Sequence, residues 1–154
     1  MKMSPEFARA ARNMQPGEIT ADGFFGDDTR SLIDIIADDE SFMASIGMEF
    51  DAAAERLEEL LEEGRRGLGE PVTVQQNWIV KTDEARGVLP SPFEDGVFRK
   101  VNATITRVDD ATAFVRVTTL SLHLMRAHHF LQGRGAPFRI EPSTLARVLD
   151  TEES

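Results

Sequence analysis

Chemistry at neutral pH needs side chains that titrate or polarise there, and in this chain they crowd into one stretch. Residues 118–139, TTLSLHLMRAHHFLQGRGAPFR, hold all three histidines, His123, His128 and His129, with Arg134 between two glycines and Arg139 close behind. Histidine changes charge between about pH 5 and 8, so acid–base work or metal ligation is the chemistry to test first. Read as a helix at ~100° per residue, the segment places His123 inside the apolar stripe of Leu120, Leu124, Ala127, Phe130 and Leu131. His128 then falls at the edge of that stripe and His129 on the opposite side. Two histidines on one helix chelate an ion at a spacing of three or four. Here the spacings are five and six, roughly 140° and 120° around the axis. The helix alone is therefore not expected to bring two rings to one ion, and neither a metal nor another cofactor is expected.

What the stretch does favour is an anion-accepting pocket built from His123, His128, Arg134 and Arg139. In it the Gly133-Arg134-Gly135 amides would approach a phosphate or carboxylate. Each part also has a plainer reading. A histidine on a packed face is usually a hydrogen-bonded core residue, and a Gly-Arg-Gly turn can simply cap a helix. Other catalytic classes lack their residues. The chain has no cysteine, which removes thiolate nucleophiles, thiolate metal sites and disulfides. No serine stands in a glycine-framed elbow. Asp22, Asp27 and Asp28 lack the alternating oxygen ligands and closing glutamate of a calcium loop.

Charge is distributed unevenly. The formal net charge is −10, and residues 1–70 carry 7 Lys/Arg against 17 Asp/Glu, whereas residues 99–147 carry 8 against 3. An acidic half thus joins a mildly basic one. Most of such a surface repels nucleic acid, and no segment approaches the ~18 apolar residues of a membrane span. The N-terminus has no apolar run of signal-peptide length. We therefore expect a cytoplasmic protein that contacts neither nucleic acid nor membrane, with a protein partner or self-association as its binding event.

At 154 residues with 41% hydrophobic and 29% charged content, the chain has the size of one domain with a useful core. Ser4-Pro5 predicts a first helix, N-capped by the serine and closed by Pro16-Gly17. After the turn-rich ITADGFFGDDTR loop, a helix over about 29–37 is expected from Asp27 or Asp28 as its cap. A short helix then ends at Gly47, and a longer one runs from about Glu49 to Glu63 with Gly64 as its stop. That longer helix carries Glu55, Glu58, Glu59, Glu62 and Glu63 against a single Arg56. It would meet a major groove with repulsion rather than recognition. The pattern changes after GRRGLGEP. VTVQQNWIVKTDEA predicts one bent strand or two short ones, with Trp78 in the core. The PSP of ARGVLPSPFEDG predicts a loop that breaks any sheet. Alternation at Val101, Ala103 and Ile105 and at Ala113, Val115 and Val117 around Asp109-Asp110 predicts a hairpin. A strand should end near Thr118, the histidine helix should close at Gly133, and Glu141-Pro142 should open a final helix before an acidic tail.

Two resemblances bear on these segments. DGFFGDDTRSL resembles, over about a dozen residues, the turn of peptidoglycan-binding three-helix domains, but lacks their flanking Leu-Gln repeats. Across nearly the whole chain, MQPGEITADGFFGDDTR, GLGEPVTV, DEARGVLPSPFEDG and TTLSLHLMRAHHFLQGRGAPFRIEP are similar to a family of small acidic bacterial cytosolic proteins. That likeness implies a stand-alone cytosolic domain and brings no activity, cofactor or site residue with it. The family pattern has aspartate where Thr119 stands and glycine where His129 stands, which makes His129 incidental to any shared chemistry.

The expected fold is α+β, with N-terminal helices packed on a small antiparallel sheet of three to five strands. The His123 helix crosses the sheet and a C-terminal helix follows it. The expected function is a non-enzymatic binding or regulatory module. Its rival is a small enzyme or ligand-binding protein with the anion pocket just described.

Overall fold

A meander of apolar-polar alternation needs one buried face, and the helices before and after it supply the cover. The computed structural model describes residues 4–150, so the acidic tail lies outside the described residues. Its elements are α1 (Pro5–Asn13), α2 (Leu32–Ser45), α3 (Phe50–Arg65), β1 (Val72–Val74), β2 (Trp78–Pro90), β3 (Val97–Arg107), β4 (Asp110–Thr118), α4 (Thr119–His128) and α5 (Pro142–Leu149). The four strands form one antiparallel sheet in sequence order. The fold is thus α+β, with three helices before the sheet and two after it among the described residues.

The expected hairpin forms with Ile105 opposite Val115 and Ala103 opposite Val117. Val101, Ala103, Ile105, Ala113, Val115 and Val117 are all buried. They meet Leu57, Leu60 and Leu61 of α3 and Leu145 and Val148 of α5 in one core cluster. Trp78 is fully enclosed there, and its indole Nε1 donates to the Val148 carbonyl at 2.7 Å. A second cluster gathers Ala10 and Met14 of α1, Leu32 and Ile35 of α2, and Phe24, Phe93 and Phe130 from loops. The helix α4 is the seam between the two. Leu122 and Met125 enter the first cluster, while Leu120 and Leu124 enter the second. Burial on two sides explains why residues 119–125 alternate like a strand and yet form a helix.

Several local expectations are corrected. The region 32–45 is one helix, capped by Ser31, whose Oγ accepts from the Asp34 amide at 3.2 Å, rather than by Asp27 or Asp28. Its acidic middle does not break it because Asp39 turns inward to a partner. Gly64 is not a stop: α3 runs on to Arg65, and a Cβ at position 64 would collide with the Val80 side chain. Most consequentially, the two prolines do not end the sheet. Through a bulge at Arg86-Gly87, β2 continues to Pro90, which pairs with Val97. A proline fits there because it is the strand's last residue and needs no further ladder donor. The helix α4 stops at His128, four residues short of expectation, with His129 in the left-handed region at φ 55°. Gly133 is not left-handed. It is required because a Cβ there would collide with the Phe25 backbone.

Candidate functional site

The register of the sheet builds the site. Because β2 and β3 stay paired to their ends, residues 91–96 become a tight hairpin tip. The Ser91 amide donates to the Gly96 carbonyl and the Glu94 amide to the Ser91 carbonyl, both at 2.9 Å. Thr118 at the end of β4 lies opposite Asn102 of β3. The chain that follows therefore runs back along β3 toward the tip, and the Thr119 hydroxyl donates to the Arg99 carbonyl. A capping box starts α4 there. Thr118 Oγ1 accepts from the Ser121 amide, and Ser121 Oγ from the Thr118 amide, each at 2.8 Å. The tip is pressed into the molecule by Phe93, which meets Phe7 of α1 edge-on with ring centroids 5.8 Å apart. Asn13 donates to the Pro92 carbonyl at 2.8 Å.

At the tip, Asp95 meets two of the three histidines. Its Oδ2 lies 3.0 Å from His123 Nε2 and 2.7 Å from His128 Nε2. Both rings are held face-on by aromatic neighbours. His128 stacks on Phe93 at 3.7 Å between centroids and His123 on Phe98 at 4.4 Å, and the two imidazoles stand nearly perpendicular, 5.7 Å apart. Burial alone would raise the Asp95 carboxyl. Hydrogen bonds from Ser91, His128 and His123 outweigh it and hold the group well below the usual carboxylate range. An ionised carboxylate only accepts, so each Nε2 must carry the proton it donates.

The two rings meet at one carboxylate although a spacing of five separates them around the helix axis. The separation around the axis is as expected, but the meeting point lies off the helix, on the hairpin tip. His128 is the last residue of α4, and both long side chains reach outward to the same carboxylate.

The other candidates go elsewhere. His129 Nδ1 bonds Glu40 Oε2 at 2.7 Å and its ring stacks on Phe50 at 4.2 Å, away from Asp95. Arg139 is nearly enclosed, with its side chain 8% exposed, and chelates the equally buried Asp39 at 2.6 and 2.9 Å. It also donates to the Gln132 carbonyl and to Glu141. Burial would lower the guanidinium pKa, but the Asp39 and Glu141 carboxylates raise it above its ordinary value. The side chain of Arg134 is exposed. Its backbone amide does bind an anion, as a Gly-Arg-Gly turn can, but the anion is the protein's own Asp28, whose Oδ2 accepts at 3.1 Å. Arg30 grips the same carboxylate, at 3.0 Å through Nε and 2.6 Å through Nη2. Hydrogen bonds from Arg30 and then from the Arg134 amide hold Asp28 far below the usual carboxylate range despite its burial. His123, His128, Arg134 and Arg139 thus occupy three places, and only the two histidines come together.

The residue that sequence reasoning missed is Asp95. Nothing in Pro-Phe-Glu-Asp-Gly distinguishes it from an ordinary turn aspartate. The usable signal was Phe93 and Phe98 bracketing a polar turn, which becomes informative only once the strands are seen to pair up to Pro90 and Val97. A cleft of about 510 Å³, lined among others by Thr20, Asp22, Asp83, Glu84, Arg99 and Lys100, has neither histidine nor Asp95 in its wall. Among the described residues no helix is long and apolar enough to cross a membrane. Comparison with family models, with curated proteins and with solved structures returned no match.

Proposed function

We propose that the protein is a non-enzymatic binding or regulatory module whose responsive part is the β2–β3 tip, latched to α4 by His123 and His128. One observation carries this reading. Two imidazoles, each stacked on a phenylalanine, converge on a single carboxylate oxygen of Asp95, whose side chain is 36% exposed, so the latch sits where an incoming group can reach it. The rival anion pocket loses support because its two arginines are committed to Asp39 and to a solvent-facing turn. The outer face of α3 presents Glu55, Glu58, Glu59 and Glu62 to solvent. That face favours a basic protein surface, another copy's basic half included, and disfavours nucleic acid.

The test is native mass spectrometry of the full chain, with pull-down from a bacterial lysate on the immobilised protein. We expect self-association or a retained partner, lost on exchange of Asp95 for alanine. A strictly monomeric chain that retains nothing overturns the reading.

A further inference from the structure

We infer that Asp95, His123 and His128 form a binding site for a divalent transition metal of the zinc, cobalt or nickel class. The inference rests on the reading that the tip and α4 make a ligand-binding site, and it names the ligand.

The geometry comes first. One ligand atom from each of the three residues lies within 4.8 Å of the other two. Around an ion with bonds of about 2.0–2.1 Å, adjacent ligand atoms are about 2.9 Å apart at right angles and about 3.4 Å apart in a tetrahedron. The observed Asp95 Oδ2 to Nε2 separations of 3.0 and 2.7 Å match the right-angle spacing to within about 0.2 Å and open by about 0.4 and 0.7 Å for a tetrahedron. The carboxylate oxygen thus stands near ligand spacing from both nitrogens before any ion arrives.

The surroundings fit the same role. Ligating histidines work best when their ring planes are fixed and their carboxylate partner is oriented from behind. Phe93 and Phe98 fix the two planes by stacking, and the buried Ser91 hydroxyl accepts from the Phe93 amide at 3.1 Å, which holds the turn that carries Asp95. Among the described residues, no lysine or arginine forms an ion pair with Asp95 to compete with a cation. Loading requires each Nε2 to give up its proton while the ring keeps one on Nδ1, and the lone pair so freed goes to the ion.

The ligand types select the class. Imidazole nitrogen suits zinc, copper, iron and nickel, whereas calcium and magnesium prefer an all-oxygen shell. Without cysteine the site has no thiolate to favour a soft monovalent ion. Three protein ligands on a partly exposed rim leave at least one position for water or for a donor from a partner, which links the ion to the module's binding event. A purely structural latch has the same hydrogen bonds but takes up no ion, so uptake decides between them.

The experiment uses the full chain, stripped with a chelator and dialysed, then titrated with Co²⁺ and Zn²⁺ at pH 7.5. Cobalt is followed by its visible d–d absorption and zinc by calorimetry and thermal melting. The expected result is one equivalent bound with a Kd of micromolar or tighter and a rise in melting temperature. The affinity should weaken at least tenfold and the melting-temperature rise shrink in His128→Gln and Asp95→Asn, and both should stay unchanged in His129→Gln. Both substitutions are near-isosteric and keep a polar group at the position, and circular dichroism confirms that the variants fold. Binding that survives both substitutions, or a wild-type chain that takes up neither ion at 1 mM, overturns the inference. A chain that stays empty of metal yet keeps its partner in the pull-down removes the metal site alone. One that loads metal but remains monomeric and partnerless removes the regulatory reading alone.

Discussion

Asp95 and Asp39 are both carboxylates that bind side chains from the 118–139 stretch, and they do so in opposite ways. Asp39 is 7% exposed at its side chain and is chelated by one guanidinium, a partner that stays charged at every pH a protein survives. Asp95 is 36% exposed and shared between two imidazoles, partners whose charge and coordination can change under mild conditions. The first ties α2 to the segment before α5 and offers nothing to exchange. The second ties a hairpin tip to a helix end with bonds that a proton or an ion can replace. A polar cluster is therefore a candidate for function when its partners are exchangeable and reachable. The number of charges in it is a poorer guide.

The comparison can be broken most directly at the buried pair. Asp39→Ala leaves Arg139 charged in an enclosed site, and a loss of about 3–5 kcal/mol in urea unfolding is expected. A loss under about 1 kcal/mol would mean that Arg139 escapes to water and that the pair is no more structural than the tip. The Asp28 carboxylate offers an intermediate case, since Arg30 and the Arg134 amide hold it without titratable partners. Its folded pKa lies below the ordinary 3.8, so its contribution is fully present above that value and is lost as pH falls through the folded pKa. The stability difference between wild type and Asp28→Asn, about 2 kcal/mol at neutral pH, should be flat from pH 5 to 8 and shrink below pH 4. A difference that stays constant down to pH 2 contradicts the assignment. The smallest effect belongs to the tip. Asp95→Asn in metal-free buffer should cost no more than about 1 kcal/mol, because solvent screens a partly exposed pair. A loss of 3 kcal/mol would make Asp95 a second Asp39.

Elements written in local periodicity were legible in the sequence. Ser4-Pro5 caps α1 as its residue types require, the alternation around Asp109-Asp110 pairs as expected, and Glu141-Pro142 opens α5. The partner of each polar residue was not legible, because it depends on contacts across tens of residues. Gly133-Arg134-Gly135 was recognisable as an anion-binding turn, yet its anion stands 106 positions away. Arg139 reads equally well as a ligand-binding or a structural cation until Asp39 appears 100 positions back. His123 and His128 were singled out, but Asp95 was hidden by the expectation that Pro90 and Pro92 end the sheet before it. Of the candidate site, two of three residues were visible and their meeting point was not.

The position of α4 also bears on the order in which the chain can fold. Ala10, Met14, Leu32 and Ile35 find their packing partners in Leu120, Leu124 and Phe130, nearly the whole chain away. As the protein emerges from the ribosome, part of the apolar face of α1 and α2 stays uncovered until residues 120–130 are out. The strands pair in sequence order and α3 also packs on β1 and β2, which follow it directly, so this part can organise first. The first helices made should therefore be among the last to acquire native protection in pulse-labelled hydrogen exchange. They should dock only when α4 provides the wall against which both halves close.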